Sequence, residues 1–303
     1  MLVDTVVVVT GLICLVSHVA SVVLFKHLLP AESAWRRHPQ FLAHQVVALP
    51  LMVVCAWIGT KSWFFPTPEE RLAASTVDGR VHEHTETGEL LARIVVGAQV
   101  SRQPCHIVEQ AASPPPHWPP PPPPPPPPQV FWDIPTTGLV PALYSRLMMF
   151  HHVFLTIIAT VTLIPYVQYY NPFFAGVIEI SAIPLVIVDV FHPTRYGDVA
   201  EQSPLLGKLN AVCRVSFAVL FLIIRGLYFP YVVLFQVLPD MAAVIRQGTE
   251  LVPPLVCGSI AVLMMSLQLY WGSLILKQLK KMLAKAPDPR KEGYEAHGEM
   301  DDL

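Results

Sequence analysis

The stretch LMMFHHVFLTIIATVTLIPYVQYYNPFFAGVI, residues 147–178, contains no Asp, Glu, Lys or Arg. One helix needs only about 20 apolar residues to cross a bilayer, so this run is too long for a single span. Pro165 and the pair Asn171-Pro172 interrupt it. Proline ends a helix and disfavours the α conformation just before it. The reading is a tight hairpin of two membrane spans, over 139–165 and 172–191.

Outward from this hairpin, residues 5–25, 41–60 and 251–276 are also free of all four charged residue types. They predict spans over 3–29, 41–65 and 253–276, and a further apolar run predicts one over 210–238. A seventh candidate, 88–110, holds the apolar run Leu90–Val100 but also Arg93, Arg102 and Pro104. The chain as a whole agrees. Of its 303 residues only 14% are charged and 53% are hydrophobic, with a mean hydropathy of +0.48. Lys plus Arg is 20 and Asp plus Glu is 22, a formal charge of −2. That excludes a disordered chain, and it excludes a nucleic-acid binder, which needs a basic field. The predicted fold class is all-α: a polytopic membrane bundle of about seven helices.

The first span carries one early charge, Asp4, and no basic n-region, so it reads as a retained helix and not a signal peptide. The five cysteines, Cys14, Cys55, Cys105, Cys213 and Cys257, show no metal-ligand spacing and read as small buried hydrophobes. Charge asymmetry orients the bundle. Lys277, Lys280, Lys281, Lys285, Arg290 and Lys291 predict a cytosolic C-terminal tail. Seven spans then place Arg36, Arg37, Arg195 and Lys208 on the cytosolic side and the acidic stretch 69–89 on the other. Six spans would face Arg36 and Arg37 outward.

Residues 114–128 contain 13 prolines, broken only by His117 and Trp118. Polyproline is extended and solvated and cannot cross a bilayer with its carbonyls unsatisfied. The segment 111–130 therefore reads as a cytosolic loop insert. It is either a ligand for a proline-recognising module of the SH3 or WW kind, or a tolerated low-complexity expansion.

Charges inside the predicted spans are candidate functional groups, because a charge near the bilayer centre costs on the order of 3 kcal/mol. Four stand out: Glu179, Asp189, Arg214 and Arg225. Arg214 and Arg225 are eleven residues apart, which returns to within about 20° of the same helix face. Counted from the cytosolic ends of their antiparallel spans, Asp189 matches Arg214 and Glu179 matches Arg225. Two rungs are expected, serving either as structural ion bridges or as the wall of a polar cavity. The doublet His151-His152 lies halfway along its span. His152, Thr156 and Thr160 form a polar stripe at i, i+4 and i+8, so His152 is predicted to face the cavity. His151, flanked by Leu147 and Leu155, is predicted to bond another helix. His18 and His44 read as packed histidines. A histidine in the cavity could act as a general base. No His-x3-His spacing is present, so no metal is assigned.

Several pieces together resemble the TLC domain family, which includes ceramide synthases and TLC domain-containing lipid regulators. Trp35-Arg36-Arg37 followed by His44 resembles its early span, and His151-His152 its mid-membrane histidines. Glu179-Ile180-Ser181 ahead of Pro184 resembles its Glu-Ile-Ser-Thr-Pro segment. Arg225 with Pro230-Tyr231 resembles its Arg-x4-Pro-Tyr span, and Gln268 with Trp271 its closing helix. The resemblance covers residues 30–285, with 1–29 as a preceding helix and 286–303 as a flexible tail. It implies a multi-pass membrane protein, in the endoplasmic reticulum or another endomembrane with the plasma membrane as the alternative, that binds membrane lipid between helices and contributes to lipid homeostasis. The candidate lipid cavity or polar core is made of Thr156, Thr160, Glu179, Arg225, Asp189, Arg214 and His44. No cofactor is implied.

Two other readings stay open. One is acyl-CoA-dependent N-acylation of a sphingoid-type amine, with His151 or His152 as base and acyl-CoA as cosubstrate. The other is a cargo or translocation accessory. Against the acyltransferase, the His-His-x-x-Thr motif of ceramide synthases has Leu155 in place of its Thr, and Pro193 follows His192 where they carry Asp.

Overall fold

In the computed structural model, residues 4–99, 146–192, 199, 203–248 and 250–285 are described. Among them the regular structure is helical: α1 (Thr5–Leu28), α2 (Pro39–Phe64), α3 (Pro68–Ala74), α4 (Val77–His82), α5 (Glu86–Gln99), α6 (Arg146–Val161), α7 (Gln168–Val190), α8 (Pro204–Gln247) and α9 (Val252–Lys285). Five of these, α1, α2, α7, α8 and α9, are long and apolar enough to cross a membrane. The protein is an integral, multi-pass, all-α membrane bundle. Seven crossings would also need α5 and α6, which are shorter within the described residues. The polyproline stretch, Cys105, Arg195 and the 286–303 tail lie outside those residues. Cys14, Cys55, Cys213 and Cys257 are buried thiols.

Local chemistry sets the helix ends. Asp4 caps α1 by accepting from the Val6 and Val7 amides, which satisfies donors that a helix start otherwise leaves open. Thr67 and Glu70 form a capping box on α3, with Pro68 in the first turn. Helix α8 ends at Gly248, whose φ of 72° suits glycine. The predicted 210–238 span is too short, because α8 continues through Pro230 and Pro239. Each proline follows or sits beside a π-helical segment, Phe221–Tyr228 and Val233–Val237. The wider π turn accommodates the missing amide donor and the proline ring. At about 66 Å, α8 is twice the thickness of a hydrocarbon layer, so its ends stand outside it.

The helices form a closed ring. α2 packs on α7, α7 on α8, α8 on α9, α9 on α6, α6 on α5 and α5 on α2, while α1 lies outside against α2 and α5. Two close approaches tighten it. Gly59 of α2 meets Gly176 of α7, where an added Cβ would sit 2.4 Å from the facing Cα. Gly97 of α5 meets the Val7 carbonyl of α1. Further along, Arg93 of α5 pairs with Asp4 at 2.7 Å and with Glu89. The charge that weakened the 88–110 candidate is thus neutralised at the start of α1. Helix α5 runs parallel to α1, as a third crossing would.

One end of the ring is capped. α3 and α4 lie over it and bind the α6–α7 hairpin and the end of α8. Arg80 of α4 makes a bidentate pair with Asp240 of α8, both oxygens at 2.6 Å, and Tyr170 donates to the same carboxylate. Asp240 raises the pKa of Arg80 above its ordinary value, overcoming burial, and keeps it charged. Gln168, fully buried, accepts from the Thr85 amide and donates to the Thr162 and Ile164 carbonyls. Beside it Val167 is left-handed (φ 50°), a conformation costly for a β-branched residue. Its amide is held by the Val81 carbonyl at 2.7 Å. At the other end are Arg36, Arg37 and the lysines of α9, and Trp35 donates to the Val190 carbonyl there.

Candidate functional site

Under the cap, inside the ring, is a cavity of about 90 Å³. Helix α5 contributes Ala92 and Val95. Helix α6 contributes His151, Leu155, Ile158 and Ala159, residues three or four apart that share one face. The walls from α7 and α8 include Phe174, Ala175, Ile178, Phe229 and Val237, and α9 adds Cys257, Ile260, Ala261, Met264 and Gln268. His151 and Thr162, eleven residues apart, both reach it, so it extends about 16 Å along the helices.

The structure exchanges the expected roles of the two histidines. His151 lines the cavity, edge-on to Trp271 with ring centres 5.7 Å apart. His152 points away from it, its Nδ1 3.5 Å from Gln99 Nε2 of α5, within the electrostatic reach of Glu179. The stripe that selected His152 is self-satisfied. Thr156 donates to the His152 carbonyl at 2.8 Å and Thr160 to the Thr156 carbonyl at 2.7 Å. Such back-bonding is a local way for a threonine to meet its needs in a helix. The apolar flank of His151 is the cavity face.

The two rungs are corrected as well. Arg225 is 8% exposed. It donates through Nε to Ser181 Oγ at 2.8 Å and through an Nη to the Ile178 carbonyl at 3.2 Å, and lies over the Phe221 ring. Glu179 shares this region and feels the charge of Arg225, but they make no direct ion pair. Arg225 lies in the π segment Phe221–Tyr228, and the bond to Ser181 holds its guanidinium. Arg214 is exposed and donates to Asn210 Oδ1 one turn back, at 3.1 Å, and does not pair with Asp189. His44 packs edge-on to His18 between α2 and α1, 6.5 Å apart. Thr156, Thr160, Glu179, Arg225, Asp189, Arg214 and His44 therefore do not line the cavity.

Sequence reasoning missed two features. One is the Arg80–Asp240–Tyr170 cluster, whose members are far apart in the chain. The other is Gln268, 1% exposed, whose Oε1 has no hydrogen-bond partner. It is the lone amide in the charge-free stretch 251–276, which was a legible signal. Among the described residues no three His, Cys, Asp or Glu side chains gather as metal ligands.

The TLC domain family model matches residues 131–277. This segment is a TLC domain. The matched residues take in α6, the connection after it, α7, α8 and α9 up to Lys277, and supply all the described cavity lining except Ala92 and Val95 of α5. Trp35-Arg36-Arg37 and His44 fall outside the match. No curated protein and no solved structure matches the chain.

Proposed function

We propose that this TLC-domain protein holds a membrane lipid in the ring cavity and thereby contributes to membrane lipid composition. The observation that carries the reading is the cavity itself, a largely apolar space inside a membrane bundle, closed at one end by a hydrogen-bonded cap. Apolar walls with few polar groups suit an acyl chain, which gains about 25 cal/mol per Å² only when it leaves water or a poorer fit. The protein resides in an endomembrane such as the endoplasmic reticulum, with the lysine-rich end cytosolic. Lipidomics of cells lacking the protein, re-expressing either wild type or a cavity-filled Ala261→Phe variant, tests this. Wild type restores the lipid profile and Ala261→Phe does not. Equal rescue by both contradicts it.

His151 on the cavity wall favours a second reading, acyl-CoA-dependent N-acylation with His151 as the base. Purified protein with a long-chain amine and labelled acyl-CoA is expected to yield no amide. Product that falls about 10²–10⁴-fold in His151→Ala would establish the enzyme instead.

A further inference from the structure

The two ends of the cavity differ. At the cap end the polar groups have protein partners: Tyr170 donates to Asp240, Asn171 Nδ2 to the Gly88 carbonyl at 2.8 Å, and Thr162 to the Ala159 carbonyl at 3.0 Å. About 16 Å away along α9, Gln268 lines the cavity, almost wholly buried, with Oε1 unmet. A buried acceptor without a donor bears its full desolvation penalty, so a donor supplied by a ligand is favoured there. Among the described residues, no Asp, Glu, Lys or Arg lines the cavity. Arg225 is not among the lining residues and is committed to Ser181 Oγ and the Ile178 carbonyl. An ammonium or carboxylate head would therefore enter a low-dielectric space with no opposite charge from these residues.

Resting on the lipid-holding reading above, we propose that the cavity selects an uncharged, hydroxyl-bearing lipid, its head against Gln268 and its chain running along the apolar wall toward the cap. The hydroxyl donates to Gln268 Oε1. Its oxygen can accept in turn, which an amide, having both donor and acceptor atoms, can reciprocate. Selectivity then comes from two sources. A head without a donor leaves Oε1 unmet, and a charged head is buried unpaired.

The test uses the full-length protein, purified and delipidated in detergent, with tritiated oleyl alcohol as the probe. Unlabelled oleyl alcohol, its methyl ether, oleylamine and oleate compete, all with the same chain. The expected order is alcohol first, ether about tenfold weaker for the lost hydrogen bond, and amine and oleate about 100-fold weaker for the buried charge. Gln268→Leu is expected to reduce the alcohol-to-ether preference to about one. That ratio is read within one variant, so a partial loss of folded protein does not mimic it, and the closer isostere Gln268→Met serves if Gln268→Leu does not fold. Equal affinity for alcohol and ether in wild type, tighter binding of amine or oleate, or an unchanged ratio in the variants would overturn the selectivity while leaving lipid holding intact. No saturable binding of any of the four would overturn the lipid-holding reading, and this inference with it.

Discussion

The cap and the cavity share the segment 167–171, and they treat polar groups in opposite ways. Above it Arg80, Asp240, Tyr170 and Gln168 exchange bonds until each charged and amide group is met. Below it the wall is mostly methyl and aromatic groups, and Gln268 Oε1 is left open. The difference teaches where stability resides. A buried, mutually bonded charge cluster is costly to break from one side. A cavity wall has no partner atoms across the void, so changing it costs comparatively little and leaves room for a ligand.

The largest expected effect breaks the cap. Asp240→Leu leaves Arg80 facing an apolar side chain and Tyr170 without its acceptor, and should cost about 3–5 kcal/mol. Adding Arg80→Met to it should recover part of the loss. Thermal melting in detergent reads both, and a single variant that melts like wild type would show the cap to be ornamental. A smaller effect tests the ring that holds cap and cavity together. Gly176→Ala places a Cβ against Gly59, and overpacking of this kind costs about 1–3 kcal/mol. The same melt checks it, with Gly226→Ala, where the nearest atom is 3.8 Å away, as the tolerant control. The smallest effect separates the histidines. His152→Ala removes an interhelical contact and should lower stability by about 0.5–1.5 kcal/mol. His151→Ala should leave the melt nearer to wild type and change the bound lipid instead. The reverse pattern would restore the assignment that the threonine stripe suggested.

Much of the fold was legible. Charge-free runs located α1, α2 and α9, a further apolar run located α8, and Pro165 with Asn171-Pro172 located the hairpin of α6 and α7, because burial in lipid imposes length and composition on every span. The site was less legible, for a physical reason. Sequence reasoning searched for polarity, and these polar side chains are spent on protein partners: Thr156 on the His152 carbonyl, Thr160 on the Thr156 carbonyl, Arg214 on Asn210 of its own helix, and Arg225 on Ser181 of the neighbouring helix. A space suited to an acyl chain is lined by Leu155, Ala159, Ala261 and Met264, which look like any core face. Asp240 carried no signal either, since its partners Arg80 and Tyr170 are 160 and 70 positions away. The apolar run placed only 210–238, whereas α8 runs on through Pro239 beside a π segment.

The central claim is that the ring cavity holds lipid while the cap holds the fold. Native mass spectrometry of the detergent-purified protein tests it most directly, comparing wild type with Ala159→Phe and Ala261→Phe, both of which fill the cavity from facing helices. The account predicts a lipid adduct on wild type that is lost from both variants, with melting temperatures close to wild type. An adduct retained at the same stoichiometry in both folded variants would contradict it.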